Sequence, residues 1–388
     1  MTIELLQETA AGTAPRAAVK PVPILLTVRE LNLGGIERDV TQIALNIDRT
    51  RFAPHVASYR SEGMRLEELR AAGVPLLHLP VTSLKSPSAV SAALGLRRYI
   101  REHGIGLVHA YDSSAVFAAP IARALGVPAV LTSTLGHRSL LDARTRRLVR
   151  WTDRIVDAVV VNCEAMRRHM IDEEHAPEER IEFCYNGVDT SVFYPRARRP
   201  ERGSDVAFVI GAVCVLRPEK SIDLLQEAFA RARHLRPGMK LRIVGSGPEL
   251  AKLQANSRRL EIQDDCEFVP ATRQVAELLR GFDIYVSSSR SEAFSNTILE
   301  AMASGCCVVG SRVGGTPELI GEERGLLFEA GDAADLAARL AALVQNEPQR
   351  RALGRRAAEF AGKMFTIEIA AKRMAEIYEM ILLRKAVR

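Results

Sequence analysis

The stretch Phe282-Asp-Ile-Tyr-Val-Ser-Ser-Ser-Arg-Ser-Glu-Ala-Phe-Ser-Asn-Thr-Ile-Leu-Glu-Ala-Met-Ala-Ser-Gly305 decides how the rest of the chain is read. Phe282 to Ser287 is an apolar run of strand length and Ile298 to Ala303 continues at helical spacing, so residues 289 to 297 form a connecting loop. Strand, polar loop and helix in that order make the unit of parallel α/β structure. Ligands of such sheets bind beyond the carboxyl ends of the strands, where amides at helix starts face the crevice. Amides around Ser295, Asn296 and Thr297 therefore suit a phosphate. Glu292 in the loop and Glu300 in the helix would repel a phosphate, but they suit the neutral hydroxyls of a sugar or ribose. For Glu300 a local alternative stands, because Thr297 and Glu300 also fit a T-x-x-E capping box.

Outward from this stretch the same alternation recurs. Strands are expected at Val22 to Val28, His55 to Tyr59, Leu76 to Leu79, Ile105 to His109, Ala129 to Ser133, Val156 to Asn162 and Ile181 to Cys184. It restarts with Val206 to Leu216, Leu241 to Gly245, Glu267 to Val269, Phe282 to Ser287, Cys307 to Ser311 and Gly325 to Phe328. Between the two series, the charged run from Tyr194 to Ser204 with two prolines reads as a linker. The expected organisation is a flexible tail over 1–20, domains over 21–196 and 205–365, and a closing helix over 366–388. The 388 residues, 47% hydrophobic and 26% charged, fit globular domains. Net charge +6 on a chain this long is a mild excess. With 5% aromatic residues and no recognition motif, nucleic acid is not expected as a partner. Six cysteines without a C-x-x-C pair read as buried thiols in a reducing compartment. Neither a signal peptide nor an apolar membrane span is visible, so the expected location is cytoplasmic.

Three further strand ends carry candidate chemistry. Gly34-Gly35 opens the first helix, either letting amides approach a ligand or making a turn with unusual backbone angles. Arg217 and Lys220 flank a helix start with Ser221 as its expected N-cap; two cations there suit a diphosphate, and a solvated loop is the alternative. Gly245-Ser-Gly247 lacks the third glycine of a dinucleotide fingerprint and reads as a tight turn beside a ligand.

Together these residues resemble the retaining glycosyltransferases of the family-4 type. The motifs that carry the resemblance are Glu292-Ala-Phe-Ser-Asn-Thr-Ile-Leu-Glu300, Gly34-Gly35-Ile-Glu37, Asn186-Gly-Val-Asp189, Arg217-Pro-Glu-Lys220, Val244-Gly-Ser-Gly-Pro248 and Gly314-Gly-Thr-Pro-Glu318. The resemblance implies the GT-B fold: two Rossmann-like α/β domains facing each other across a cleft, the N-terminal one binding acceptor and the C-terminal one nucleotide sugar, with a C-terminal helix crossing back. It implies that Lys220, with Arg217, neutralises the donor diphosphate and that amides of Phe294 to Thr297 hold the same group. It also implies that Glu300 takes the ribose, Glu292 the transferred sugar, and that Gly34, Gly35 and Gly245 line the site. A histidine near the sugar would be His137 or His109, with His137 preferred. Relatives often carry an arginine where this chain has Cys214.

The implied activity is transfer of a hexosyl unit from a nucleotide-diphosphate sugar, such as a UDP-sugar, to a glycan or lipid-linked acceptor with retention, in polysaccharide or glycoconjugate biosynthesis. No cofactor is expected, and Lys220 with a helix mouth does a metal's work. An epimerase or phosphorylase on the same fold would share these features. So would a silent binding protein, although Lys220 with Glu292 and Glu300 speaks against that. Arg144 to Arg154, with five arginines and the only tryptophan, suits either a solvated face or peripheral contact with the inner face of an anionic membrane.

Overall fold

The computed structural model describes residues 20–32, 34–195 and 207–386. Most of the expected tail and linker lies outside them. Seven strands form the first sheet: β1 (Val22–Val28), β2 (Phe52–Ser58), β3 (Leu76–His78), β4 (Leu107–Tyr111), β5 (Ala129–Thr134), β6 (Ala158–Val161) and β7 (Ile181–Phe183). Six form the second: β8 (Val209–Val213), β9 (Lys240–Val244), β10 (Cys266–Val269), β11 (Ile284–Ser287), β12 (Cys307–Ser311) and β13 (Gly325–Phe328). The orders are β3-β2-β1-β4-β5-β6-β7 and β10-β9-β8-β11-β12-β13, and every pairing is parallel. In each sheet the order in which strands are added reverses beside the first strand, which opens a crevice at the strand ends there. All six cysteines are free, five of them buried.

The strap helix (Ile367–Ala386) returns to the first lobe, where Met374, Ile377, Tyr378 and Ile381 join a core with Ile24, Leu26 and Phe52. The crossing is a close backbone contact: Val188 bridges Thr366, and a Cβ on Gly187 would overlap Ile367 and the Thr366 carbonyl. That contact gives the glycine of Asn186-Gly-Val-Asp189 its physical reason. Tyr194, at the start of the expected linker, lies under the Arg280 guanidinium, 4.8 Å from its ring centre.

Some local expectations differ. β8 is shorter than the apolar run from Val206 to Leu216, since the chain after Val213 leaves the sheet to form the turn on which Gly245 and Gly247 pack. The helix following β11 begins at Asn296 rather than Ile298, because Ser295 caps it: its Oγ accepts from Ile298 N at 3.4 Å. The Thr297–Glu300 capping box therefore does not form. Thr297 is inside the helix, with its hydroxyl 2.8 Å from that of Tyr285.

Candidate functional site

At the carboxyl ends of β8 and β11, Lys220 Nζ donates to Glu292 Oε2 at 2.6 Å. Their backbones are stitched together: Ser288 Oγ donates to the Lys220 carbonyl at 2.9 Å and Arg290 N to the Glu219 carbonyl at 2.7 Å. Burial works against the Lys220 charge, but the Glu292 carboxylate outweighs it and holds the ammonium above the usual lysine range. Ser289 Oγ also donates to Glu292, at 3.2 Å. Behind the carboxylate, Gly314 is at φ +50°, and a Cβ there would overlap the Glu292 carbonyl. Gly315 N donates to the Ala293 carbonyl at 2.6 Å, so the Gly314-Gly315 turn is the floor on which the Glu292 loop rests.

The signature helix (Asn296–Ala303) meets the Gly-Gly helix (Gly35–Asn46) across the cleft. Asn296 Nδ2 lies 3.2 Å from Asp39 Oδ1 and 3.4 Å from the Gly35 carbonyl, and its Oδ1 accepts from Asn186 at 2.9 Å. Glu300 is 1% exposed and pairs with Arg38 from the opposite lobe. Some accessible surface remains at Asp39, yet the protein mass around it pushes its carboxyl up to about 7. A second bond set joins the lobes at Glu318, whose carboxylate accepts from Glu164 N and Ala165 N, both at 3.0 Å. That is an anion seated on the N-terminus of the helix Glu164–Asp172.

Lys220 and Glu292 thus pair at the strand ends, and Asn296 and Glu300 of the following helix meet Gly35, Asp39 and Arg38 of the other lobe, while other candidates sit elsewhere. Arg217 has a side chain 60% exposed and opens onto a neighbouring cleft of about 100 Å³, shared with Asp223, Glu249, Lys252 and Arg290. Phe294 is buried in a ring cluster with Tyr185 and Phe365, leaving only its backbone for a ligand. Gly34 has an ordinary φ of −71°; its missing Cβ makes room for the Glu37 carboxylate instead. Gly245 is at φ +147° against the Cys214 carbonyl, which accounts for the tight turn. Ser221 stands at the expected N-cap position, but at φ +47° and without a side-chain cap bond. Its buried hydroxyl has no hydrogen-bond partner among the described residues.

His109 is a core residue. It is fully buried between the Tyr378 hydroxyl at 2.7 Å and the Ser133 hydroxyl at 2.8 Å, and burial drives its pKa down to about 3. His137 follows β5 and packs against His169 with ring centres 4.3 Å apart and planes tilted by 53°; burial and that second imidazole lower its pKa. Sequence reading missed Arg38, Asp39 and the job of Glu318. Their only local signal was charge following Gly-Gly, or closing a Gly-Gly-Thr-Pro motif.

Comparison with known proteins adds the family. A family model described as Glycosyltransferase Family 4 matches residues 33–192, and one described as Glycosyl transferases group 1 matches residues 196–360. The chain belongs to the family-4-type glycosyltransferases. The chain is 31% identical over 226 residues to the N-acetyl-alpha-D-glucosaminyl L-malate synthase of Bacillus anthracis, covering 56% of this chain and 59% of that one. It is 30% identical to the D-inositol 3-phosphate glycosyltransferase of Segniliparus rotundus, covering 58% and 53%. The matched stretch spans little more than half the length of these curated relatives. Among solved structures, Anabaena HepE in complex with UDP and glucose superposes with a TM-score of 0.81 at 20% identity, over 92% of this chain and 99% of that one. Two parallel α/β lobes with a strap helix returning to the first are the GT-B fold.

Proposed function

We propose that the protein moves a hexosyl unit from a nucleotide-diphosphate sugar to a hydroxyl of a glycan or lipid-linked acceptor, with retention of configuration. The observation that carries this reading is the Lys220–Glu292 pair at the mouth of the signature helix, with the Glu300 carboxylate on the same helix. The anomeric C–O bond breaks, and its electron pair goes to the departing phosphate oxygen. Lys220 and the helix amides offset that charge, each such donor being worth about 3 kcal/mol. The acceptor oxygen attacks from the same face, and its proton passes to the departing phosphate. Glu292 takes the transferred sugar's hydroxyls and Glu300 those of the ribose. His137, in the loop that follows β5, stands near the transferred sugar. The relative named for sugar transfer to phosphatidylinositol supports a lipid-linked acceptor, those named for malate and inositol phosphate support attack by a hydroxyl in general, and HepE with UDP supports the donor class.

Lys220 and the helix mouth make a divalent metal unnecessary, so EDTA should leave transfer unchanged. The exposed stripe Arg144, Arg147, Trp151 and Arg154 gives the acceptor lobe a face for an anionic membrane at its cytoplasmic side. A panel of UDP-, GDP- and ADP-sugars incubated with acceptor glycans tests the reaction. One donor should be consumed only when acceptor is present, with Lys220→Ala and Glu292→Ala each slowing transfer about a hundredfold or more. Full activity in both variants overturns the assignment, and epimerised donor without acceptor favours an epimerase.

A further inference from the structure

Arg38 holds a place that a bound nucleotide needs. Glu300 is 1% exposed and its ionic partner is Arg38, which reaches across from the Gly-Gly helix of the other lobe. Neither Glu300 oxygen has a hydrogen-bond partner among the described residues, and with the guanidinium laid against one of them almost no surface of the carboxylate is left open. Ribose hydroxyls therefore reach Glu300 only if Arg38 leaves. It leaves into a protein environment that already disfavours its charge: burial and the nearby Arg65 lower its pKa to about 10, with Asp39 and Glu68 opposing them. A buried cation deprived of its anion is costly unless another replaces it. The ligand that evicts Arg38 brings that anion with it, because the diphosphate is bonded to the ribose and would enter beside the Gly-Gly helix, which meets the signature helix at Asn296 and Gly35. Lys220 on the opposite wall has its charge offset by Glu292, and Arg217 opens onto a different cleft. A leaving diphosphate carries more than one negative charge, so a second cation has work to do.

We propose that Arg38 is a donor-diphosphate ligand supplied by the N-terminal lobe, resting on Glu300 until ribose displaces it. This rests on the nucleotide-sugar reading of the cleft. The test is calorimetric binding of nucleoside and nucleoside diphosphate of the same base, uridine with UDP, guanosine with GDP and adenosine with ADP, to the full chain. The quantity of interest is the ratio of diphosphate to nucleoside affinity, which cancels what Glu300 contributes to both. In Arg38→Gln the nucleoside should bind several-fold more tightly while the ratio falls at least tenfold. In Glu300→Gln neither ligand has to evict Arg38, so the ratio should stay close to that of wild type. Adding Arg38→Gln to it leaves no unpaired charge and should lower the ratio at least tenfold; this double variant carries the test if Arg38→Gln alone fails to fold. A ratio that does not change when Arg38 is removed, in the wild-type or the Glu300→Gln background, leaves Arg38 a lobe contact and overturns the proposal. If the wild-type protein binds no diphosphate of any base, the donor reading fails first.

Discussion

Asp39 shows how a single side chain reports its surroundings. Burial raises its carboxyl from an ordinary value near 4 to about 7; the hydrogen bond from Asn296 and the charges of Arg38 and Arg65 pull the other way but do not cancel it. The folded state therefore binds a proton that the unfolded state has released between about pH 4 and 7, so this group's contribution to stability falls as pH rises through that window and is flat above it. Asp39→Asn keeps the acceptor for Asn296 and removes the titration. Its stability relative to wild type should increase from pH 5 to pH 8, measured by urea denaturation at both values. A difference independent of pH would mean that the carboxyl is ionised throughout. Arg38, one position earlier, was equally invisible in the sequence, because its partner lies 262 residues along the chain.

At the scale of elements, the connection after β11 is positioned by turns that contain none of the proposed ligands. The Gly314-Gly315 turn lies against the backbone of Glu292 and Ala293, and Ser288 grips the carbonyl of Lys220. Gly314→Ala places a methyl group at φ +50° on the Glu292 carbonyl, a conformation that costs a residue other than glycine about 1–3 kcal/mol. The expected result is a lower melting temperature together with a loss of transfer larger than the stability change explains, since the Lys220–Glu292 pair is displaced. Unchanged transfer would show that the loop does not need this floor. The strand-to-helix connections were legible in advance because apolar runs and breakers are local signals. The true start at Asn296 was not, because two hydroxyl residues compete for the cap and tertiary contact with Tyr285 draws Thr297 inward.

For the molecule as a whole, charge and apolar surface are divided between joining the lobes and facing outward. Of the five arginines between 144 and 154, Arg146 and Arg150 are spent on Glu174. Arg144, Arg147 and Arg154 remain exposed with Trp151, which is 50% exposed, and their 3-4-3 spacing puts all four on one stripe of the helix Ala143–Ile155. The protein should float with vesicles containing anionic lipid at low salt and be released at high salt, where the Debye length is about 3 Å at 1 M. Trp151→Ala should weaken the flotation. Equal binding to uncharged vesicles, or none to anionic ones, would reduce the stripe to a solvated face. Among the described residues no helix is long and apolar enough to cross a membrane.

The sequence by itself determined the thirteen parallel strands seen among the described residues, the strap helix and the placing of Lys220 and Glu292 in the connections that follow two of those strands. Alternation of apolar runs, helix-opening loops and glycines acts over a few residues and is written locally. Only the tertiary structure decided that Arg38 sits on Glu300, that Glu318 caps a helix of the other lobe, that Arg217 faces a different cleft and that His109 belongs to the core. Those outcomes depend on which buried charges and polar atoms find partners across the cleft. Desolvation enforces that pairing between residues far apart in the chain, and no local pattern records it.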